Sequence, residues 1–158
     1  MAVRATSFRR AEAMGDEPFA IVALDAEARH IRRKRITLAN GEDVLVDFEK
    51  PVHLDHGDRL LLEDGRVAKV VAAPEELMEV RARDARHLTE LAWHIGNRHL
   101  AAEIGEHRIL LHRDRIIRAM LEQLGASVSD VVEPFSPEHG AYSHSHAPAP
   151  PGGFSLDA

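Results

Sequence analysis

The chain has 158 residues, of which 44% are apolar but only 4% aromatic, so it can form one ordinary domain or two small domains with aliphatic cores. A formal net charge of −6 argues against nucleic acid or an anionic membrane as a general partner. The absence of cysteine excludes disulfides and thiolate metal sites, whereas eleven histidines leave imidazole, carboxylate and water as metal ligands. No stretch approaches the roughly 18 apolar residues of a membrane span, and no apolar leader opens the chain, so we expect a soluble cytoplasmic protein.

Residues 1–73 are predicted to form a β-rich N-terminal domain, either a small open barrel or a sandwich. Asn40-Gly41 and Asp64-Gly65 each separate two short apolar runs, and both pairs tolerate the positive φ angles of a tight hairpin turn. A turn is also expected at residues 15–18. The predicted strands are residues 3–8, 19–24, 35–38, 44–48, 60–62 and 67–72.

Two polar stretches in this half have alternative interpretations. The basic run at residues 29–35 is expected to be a solvated edge that resists aggregation, and the alternative is a docking patch for an acidic protein partner. A second stretch, residues 53–58, holds His53 and His56 among Asp55 and Asp58. It can form a weak metal site, but a polar loop is the expectation.

Residues 74–133 follow the order β-α-β-β-α-β, which predicts a ferredoxin-like domain and makes the chain α+β. Asp84 is expected to cap the first helix, and the second helix is expected at residues 114–124. Residues 134–158 are rich in proline and glycine and are predicted to be a flexible tail. The predicted strands of this half are residues 76–83, 101–104, 108–111 and 128–132.

The most distinctive stretch is residues 93–99, Trp-His-Ile-Gly-Asn-Arg-His, at the end of the first helix. The Gly96-Asn97 pair is expected to take the left-handed conformation that ends a helix. A spacing of five residues turns a helix by roughly 140° beyond a full turn, so His94 and His99 cannot converge on one ion. We therefore expect His94 to be structural, with partly buried neighbours, and any metal at His99 to need ligands from elsewhere.

The remaining histidines give weaker signals. His87, His107 and His112 are expected at the surface. His144 and His146 form a His-x-His pair in the tail, and alternate residues of an extended chain point the same way, so both rings can reach one ion.

No catalytic motif is found, because the sequence has no glycine-rich phosphate loop, no nucleophile-elbow serine and no His-Glu-x-x-His pattern. The expectation is that the protein is not an enzyme. Two alternatives stay open: a zinc-dependent hydrolase that uses His99 with Glu103, and a protein-interaction module with an incidental metal site.

Residues 94–99, His-Ile-Gly-Asn-Arg-His, resemble the signature of the UreE family of urease accessory proteins, which are nickel metallochaperones. Residues 120–125 on the second helix and residues 134–142, which lead into the histidine tail, add to the resemblance. It covers the whole chain in layout.

The resemblance implies a homodimer, formed through the C-terminal domain, in which His99 and its symmetry mate share one Ni²⁺ ion. It implies that His144 and His146 supply further ligands, that Zn²⁺ or Cu²⁺ can compete, and that Ni²⁺ passes to the accessory GTPase UreG and the urease apoprotein complex. The tail has three spaced histidines where several family members have a long polyhistidine run, which suggests delivery rather than storage.

Overall fold

A computed structural model describes residues 2–12 and 17–139, and these form ten strands and two helices. In chain order the elements are β1 Val3–Arg9, β2 Ala20–Leu24, β3 His30–Thr37, β4 Asp43–His53, β5 Arg59–Leu62, β6 Val67–Ala72, β7 Pro74–Arg81, α1 Ala85–Gly96, β8 Glu103–Ile104, β9 Arg108–His112, α2 Arg115–Gln123 and β10 Ser127–Pro134. The expected turn at residues 15–18 lies partly outside the described residues.

The first six strands form a single sheet in the order β2-β6-β5-β1-β4-β3. Apolar side chains from all six strands pack into one buried cluster, and the Ala39 amide, just after β3, donates to the Ile21 carbonyl on β2 at 2.8 Å. Because the two ends of the sheet approach each other in this way, the sheet curls into a half-barrel rather than forming a two-layer sandwich. Both predicted hairpins are present, with Gly41 and Gly65 at φ angles of 90° and 91°.

The other four strands form a second, antiparallel sheet in the order β10-β7-β9-β8. Helices α1 and α2 cover one face, where Leu88, Leu91, Ile95 and Leu121 join a buried cluster with β7 and β9. The predicted cap is confirmed, since the Asp84 carboxylate accepts a hydrogen bond from the His87 amide at 2.8 Å. Two sheets with separate cores make this a two-domain, mostly β protein.

Two expectations about the first helix are wrong. His87 is buried rather than at the surface, because its Nδ1 accepts from the Arg83 amide and its Nε2 lies 2.8 Å from the Leu124 carbonyl oxygen. The ring thereby links the start of α1 to the end of α2. Trp93 was expected to be partly buried but is 65% exposed, whereas its neighbour Ile95 is buried.

Most of the basic run lies on the edge strand β3, as expected, but the expectation is wrong for its first residue. Arg29 is fully buried, while residues 32–35 are exposed. The Arg29 guanidinium donates hydrogen bonds to three backbone carbonyls, those of Leu24, Leu54 and Phe135. Burial lowers the pKa of Arg29, and the carboxylates of Glu75 and three other residues oppose that shift. The buried cation therefore joins the half-barrel to the segment that follows β10.

Replacing Arg29 with methionine should sharply destabilise the fold. Methionine keeps much of the packing volume but leaves buried carbonyls without their donor, and we expect the free energy of unfolding to fall by about 3 kcal/mol. Urea denaturation measures this. Arg33→Met is the control, because Arg33 is an exposed residue of the same basic run and its loss should change stability by less than about 0.5 kcal/mol. Equal effects of the two substitutions would contradict the role assigned to Arg29.

Candidate metal centre

The end of helix α1 places His99 in an unusual backbone conformation. The helix continues through Gly96, and Asn97 still has a right-handed helical φ of −64°. The Arg98 amide then donates to the Ile95 carbonyl and the His99 amide to the Gly96 carbonyl, both at 3.1 Å, so the chain leaves the helix through a tightened turn. The left-handed residue is His99, with a φ of 56°, and the prediction that Gly96-Asn97 takes this conformation is wrong.

His99 is exposed, and its conformation is one that residues with a Cβ seldom adopt. Histidine is among the residue types that adopt it more readily, but the conformation still costs about 1 kcal/mol relative to glycine. Strain of this kind often marks functional positions. The helix end therefore presents the His99 imidazole to solvent on a short, hydrogen-bonded turn.

The rest of the signature is built into the helical layer. The Arg98 Nε donates to the Met120 Sδ on α2, which ties the signature to the second helix. His94 is half-buried and its ring packs edge-on against Trp93, with ring centroids 5.0 Å apart. Trp93 on α1 and Ile116 on α2 are large apolar side chains with exposed fractions of 65% and 79%.

The start of the tail is fixed beside the turn that carries His99. Near the end of strand β10, the Glu133 carboxylate pairs with Arg108 at 2.7 Å, and this hydrogen bond lowers the pKa of Glu133. Phe135 is fully buried, in a cluster with Ala26, Leu77 and Leu110 that lies between the two sheets.

Two further hydrogen bonds continue this attachment. The Ser136 amide donates to the Glu103 carboxylate and the Glu138 amide to the Ala102 carbonyl, each at 2.7 Å. Glu138 and His139 then line a cleft of about 240 Å³ together with Gly96 and Leu100. The tail thus leaves the described structure next to the signature turn.

The sequence-predicted ligands are only partly placed. His144 and His146 lie outside the described residues, so their role stays a prediction. Within residues 2–12 and 17–139, His99 belongs to no group of three histidine or acidic side chains whose ligand atoms lie within 4.8 Å of one another. Glu103, the partner of His99 in the hydrolase alternative, has its carboxylate engaged by the Ser136 amide. Among the signature residues, His99 therefore offers a metal ion one exposed imidazole from this chain.

The structure brings together a different set, His53, Asp55 and His139, whose ligand atoms all lie within 4.8 Å of one another. From the sequence, His53 and Asp55 were grouped with His56 and Asp58 as a weak metal site or a polar loop. Those two have structural roles, since His56 Nδ1 accepts from the Ala72 amide and Asp58 is buried beneath Arg10. The third member, His139, was assigned to the tail, and no sequence signal connects it to His53.

Comparison with known proteins finds matches to both domains of the chain. The family model for the N-terminal domain of the UreE urease accessory protein matches residues 7–73, and the model for its C-terminal domain matches residues 75–151. Urease accessory protein UreE 1 of Brucella suis is 57% identical over 144 residues, which are 90% of this chain and 89% of that protein.

Two other relatives cover the chain to a similar extent. Urease accessory protein UreE of Agrobacterium fabrum is 52% identical over 155 residues, 98% of this chain and 92% of the relative. The protein of the same name from a Chelativorans species is 57% identical over 145 residues, 91% and 90% of the two chains.

The conformation of His99 gives a stability test at two neighbouring positions. His99→Gly should be more stable than His99→Ala by about 1 kcal/mol, because alanine at a φ of 56° is strained and glycine is not. Gly96→Ala should be neutral or stabilising by up to about 1 kcal/mol, since Gly96 is helical and no atom lies within 4 Å of an added Cβ. Urea denaturation of the three variants decides. A destabilising Gly96→Ala alongside equal His99 variants would instead place the left-handed residue at Gly96.

Proposed function

Because the chain belongs to the UreE family of urease accessory proteins, we propose that it is a nickel metallochaperone that binds Ni²⁺ and delivers it for assembly of the urease active site. The observation that carries this proposal is the exposed His99 on its fixed turn, beside the point where the histidine tail begins. Nickel is the cargo in this function. The chain itself catalyses no reaction in it.

A homodimer completes the site in this proposal. One imidazole is too few to hold a dication, whereas a two-fold axis brings the same residue from both chains to one place. The exposed Trp93 and Ile116 on the helical layer supply apolar surface that a second copy can cover. We therefore propose that the C-terminal domain dimerises and that the two His99 side chains share one Ni²⁺.

Tail histidines supply the remaining ligands. His144 is five residues beyond His139, a distance of up to about 17 Å in extended chain, so His144 and His146 can reach the signature turn from where the tail begins. Imidazole ligands suit nickel, and Zn²⁺ and Cu²⁺ compete at such sites. A site completed by tail residues releases its ion more readily than a closed cage of four fixed ligands, which favours delivery.

The domain assignment follows the same proposal. Residues 1–73 form the N-terminal domain, residues 74–133 a ferredoxin-like metal-binding and dimerisation domain, and residues 134–158 the tail. The strand order β10-β7-β9-β8, with both helices on one face, supports the ferredoxin-like assignment. The curled first sheet carries the exposed basic residues 32–35 on its edge strand β3, which suits a domain that contacts partners.

We propose that the partners are the accessory GTPase UreG and the urease apoprotein complex, in the cytoplasm. The exposed basic residues 32–35 on the edge strand β3 are our candidate surface for an acidic part of such a partner. Neither described helix is long and apolar enough to cross a membrane. The engaged Glu103 carboxylate weakens the hydrolase alternative, and the family match over both domains weakens that of an interaction module with an incidental metal site.

Replacing His99 should remove the tightest nickel-binding step. We use His99→Asn, because asparagine tolerates the left-handed backbone but has no imidazole. Titration calorimetry with Ni²⁺ should show the strongest step in the wild type and its loss, or a weakening of at least about tenfold, in the variant. His107→Asn, at an exposed histidine, should leave the isotherm unchanged. Survival of the tightest step in His99→Asn would sink the assignment.

Removing the tail should affect the weaker steps most. A chain that ends at His139 lacks His144 and His146 but keeps the attachment of residues 135–138. It should retain part of the tightest step, because the paired His99 ligands remain, and lose the weaker binding that depends on His144 and His146. Calorimetry and the Ni²⁺ stoichiometry measured after gel filtration check this. An unchanged isotherm would rule out a role for the tail.

A further inference from the structure

Two side chains that are close in sequence and a third that is distant meet where strand β4 ends. His53 is the last residue of β4, Asp55 follows it, and His139 arrives from beyond Phe135. The His53 and His139 rings are in edge-to-face contact with centroids 4.0 Å apart, and one ligand atom of each of the three residues lies within 4.8 Å of the others. His53 is buried, whereas Asp55 and His139 are exposed.

This set has the chemistry of a transition-metal site. Two imidazoles and one carboxylate are ligands that zinc, nickel and copper accept. Two ligands that each lie about 2.1 Å from an ion are at most about 4.2 Å apart, so the three side chains need only a small closing movement to bind one. The Asp55 side chain is 59% exposed and can rotate to make it.

The electrostatics of the surroundings favour a cation despite a nearby arginine. Arg10 Nη1 lies 3.6 Å from the Asp55 carboxylate, but it is only 2.7 Å from that of Asp58, whose side chain is 2% exposed. Asp58 therefore balances the Arg10 charge. The buried Arg29 also interacts with the Asp55 charge, but Glu75, Asp25 and Glu103 share in balancing that cation, so part of the Asp55 charge remains for an ion. Asp58 also accepts a hydrogen bond from the Asp55 amide at 2.8 Å, which fixes the backbone that carries Asp55.

We propose that His53, Asp55 and His139 bind one divalent transition-metal ion, at a site separate from His99. His30 pairs with His53 across strands β3 and β4, with ring centroids 6.2 Å apart, and is our candidate for a fourth ligand. A bound ion fastens the first histidine of the tail to the N-terminal domain. The proposal does not depend on the function of His99, so the two can fail separately.

The test uses the full chain with the other proposed ligands removed, as the variant His99→Asn, His144→Asn, His146→Asn. Zn²⁺ titrated into this background should bind at one ion per chain. Adding Asp55→Asn or His139→Asn should weaken that binding by at least about tenfold. Both added substitutions are at exposed residues, and circular dichroism checks that the variants are folded. Adding His107→Asn, outside the cluster, should have no effect.

A second probe separates this site from general attraction to an acidic chain. Mg²⁺ prefers oxygen ligands, so Mg²⁺ titrated into the same background variant should not bind at the site that takes Zn²⁺. Zn²⁺ should also slow hydrogen exchange in residues 136–139 of the background variant, and this protection should vanish with His139→Asn. The proposal is overturned if the background variant binds no Zn²⁺, or if Zn²⁺ binding is the same after Asp55→Asn and His139→Asn.

Discussion

The hydrogen bonds from the buried Arg29 guanidinium fix the part of the molecule on which the proposed metal handling depends. They join the loop after β2, the end of β4 and the carbonyl of Phe135, three segments that are distant in sequence. A buried arginine is stable only when its donors are satisfied, so these segments must stay together as long as the chain is folded. The chain beyond Phe135 therefore always begins at one place, next to Ala102 and Glu103 and close to the signature turn.

In the proposed function, this anchor gives the tail its role, because the tail leaves the described structure beside Gly96 and Leu100, on either side of the turn that carries His99. In the proposed chaperone, the fixed part of the site is one histidine from each of two chains, and the exchangeable part comes from the tail. In the proposed second site, the first tail histidine sits on the N-terminal domain. Occupancy there would shorten the free part of the tail and so influence how easily His144 reaches Ni²⁺.

Much of the fold could be predicted from local signals. Asn40-Gly41 and Asp64-Gly65 marked real hairpins, and Asp84 and the apolar stripe marked the first helix, because turns and caps depend on neighbouring residues. Strands β3 and β4 proved longer than predicted. The charged residues of β3 and Pro51 within β4 weaken the strand pattern, while pairing across the sheet compensates.

The rest depended on contacts that leave no local trace. Arg29 looked like one more charge in a basic run, and His87 like a surface residue, because their acceptors lie far along the chain. His99 was singled out correctly as the histidine at the helix end, but general preferences assigned its left-handed conformation to Gly96-Asn97. The approach of His139 to His53 arises from the anchoring of Phe135, which local sequence cannot reveal.

The proposed sharing of one nickel ion by two copies of His99 can be observed directly. Diffraction from crystals of the Ni²⁺-loaded protein, recorded at the nickel absorption edge, locates the ion. We expect an anomalous peak on the two-fold axis of a dimer, about 2.1 Å from an imidazole nitrogen of His99 in each chain. Two His99 side chains far apart in the dimer, with the strongest nickel peak bound elsewhere, would contradict it.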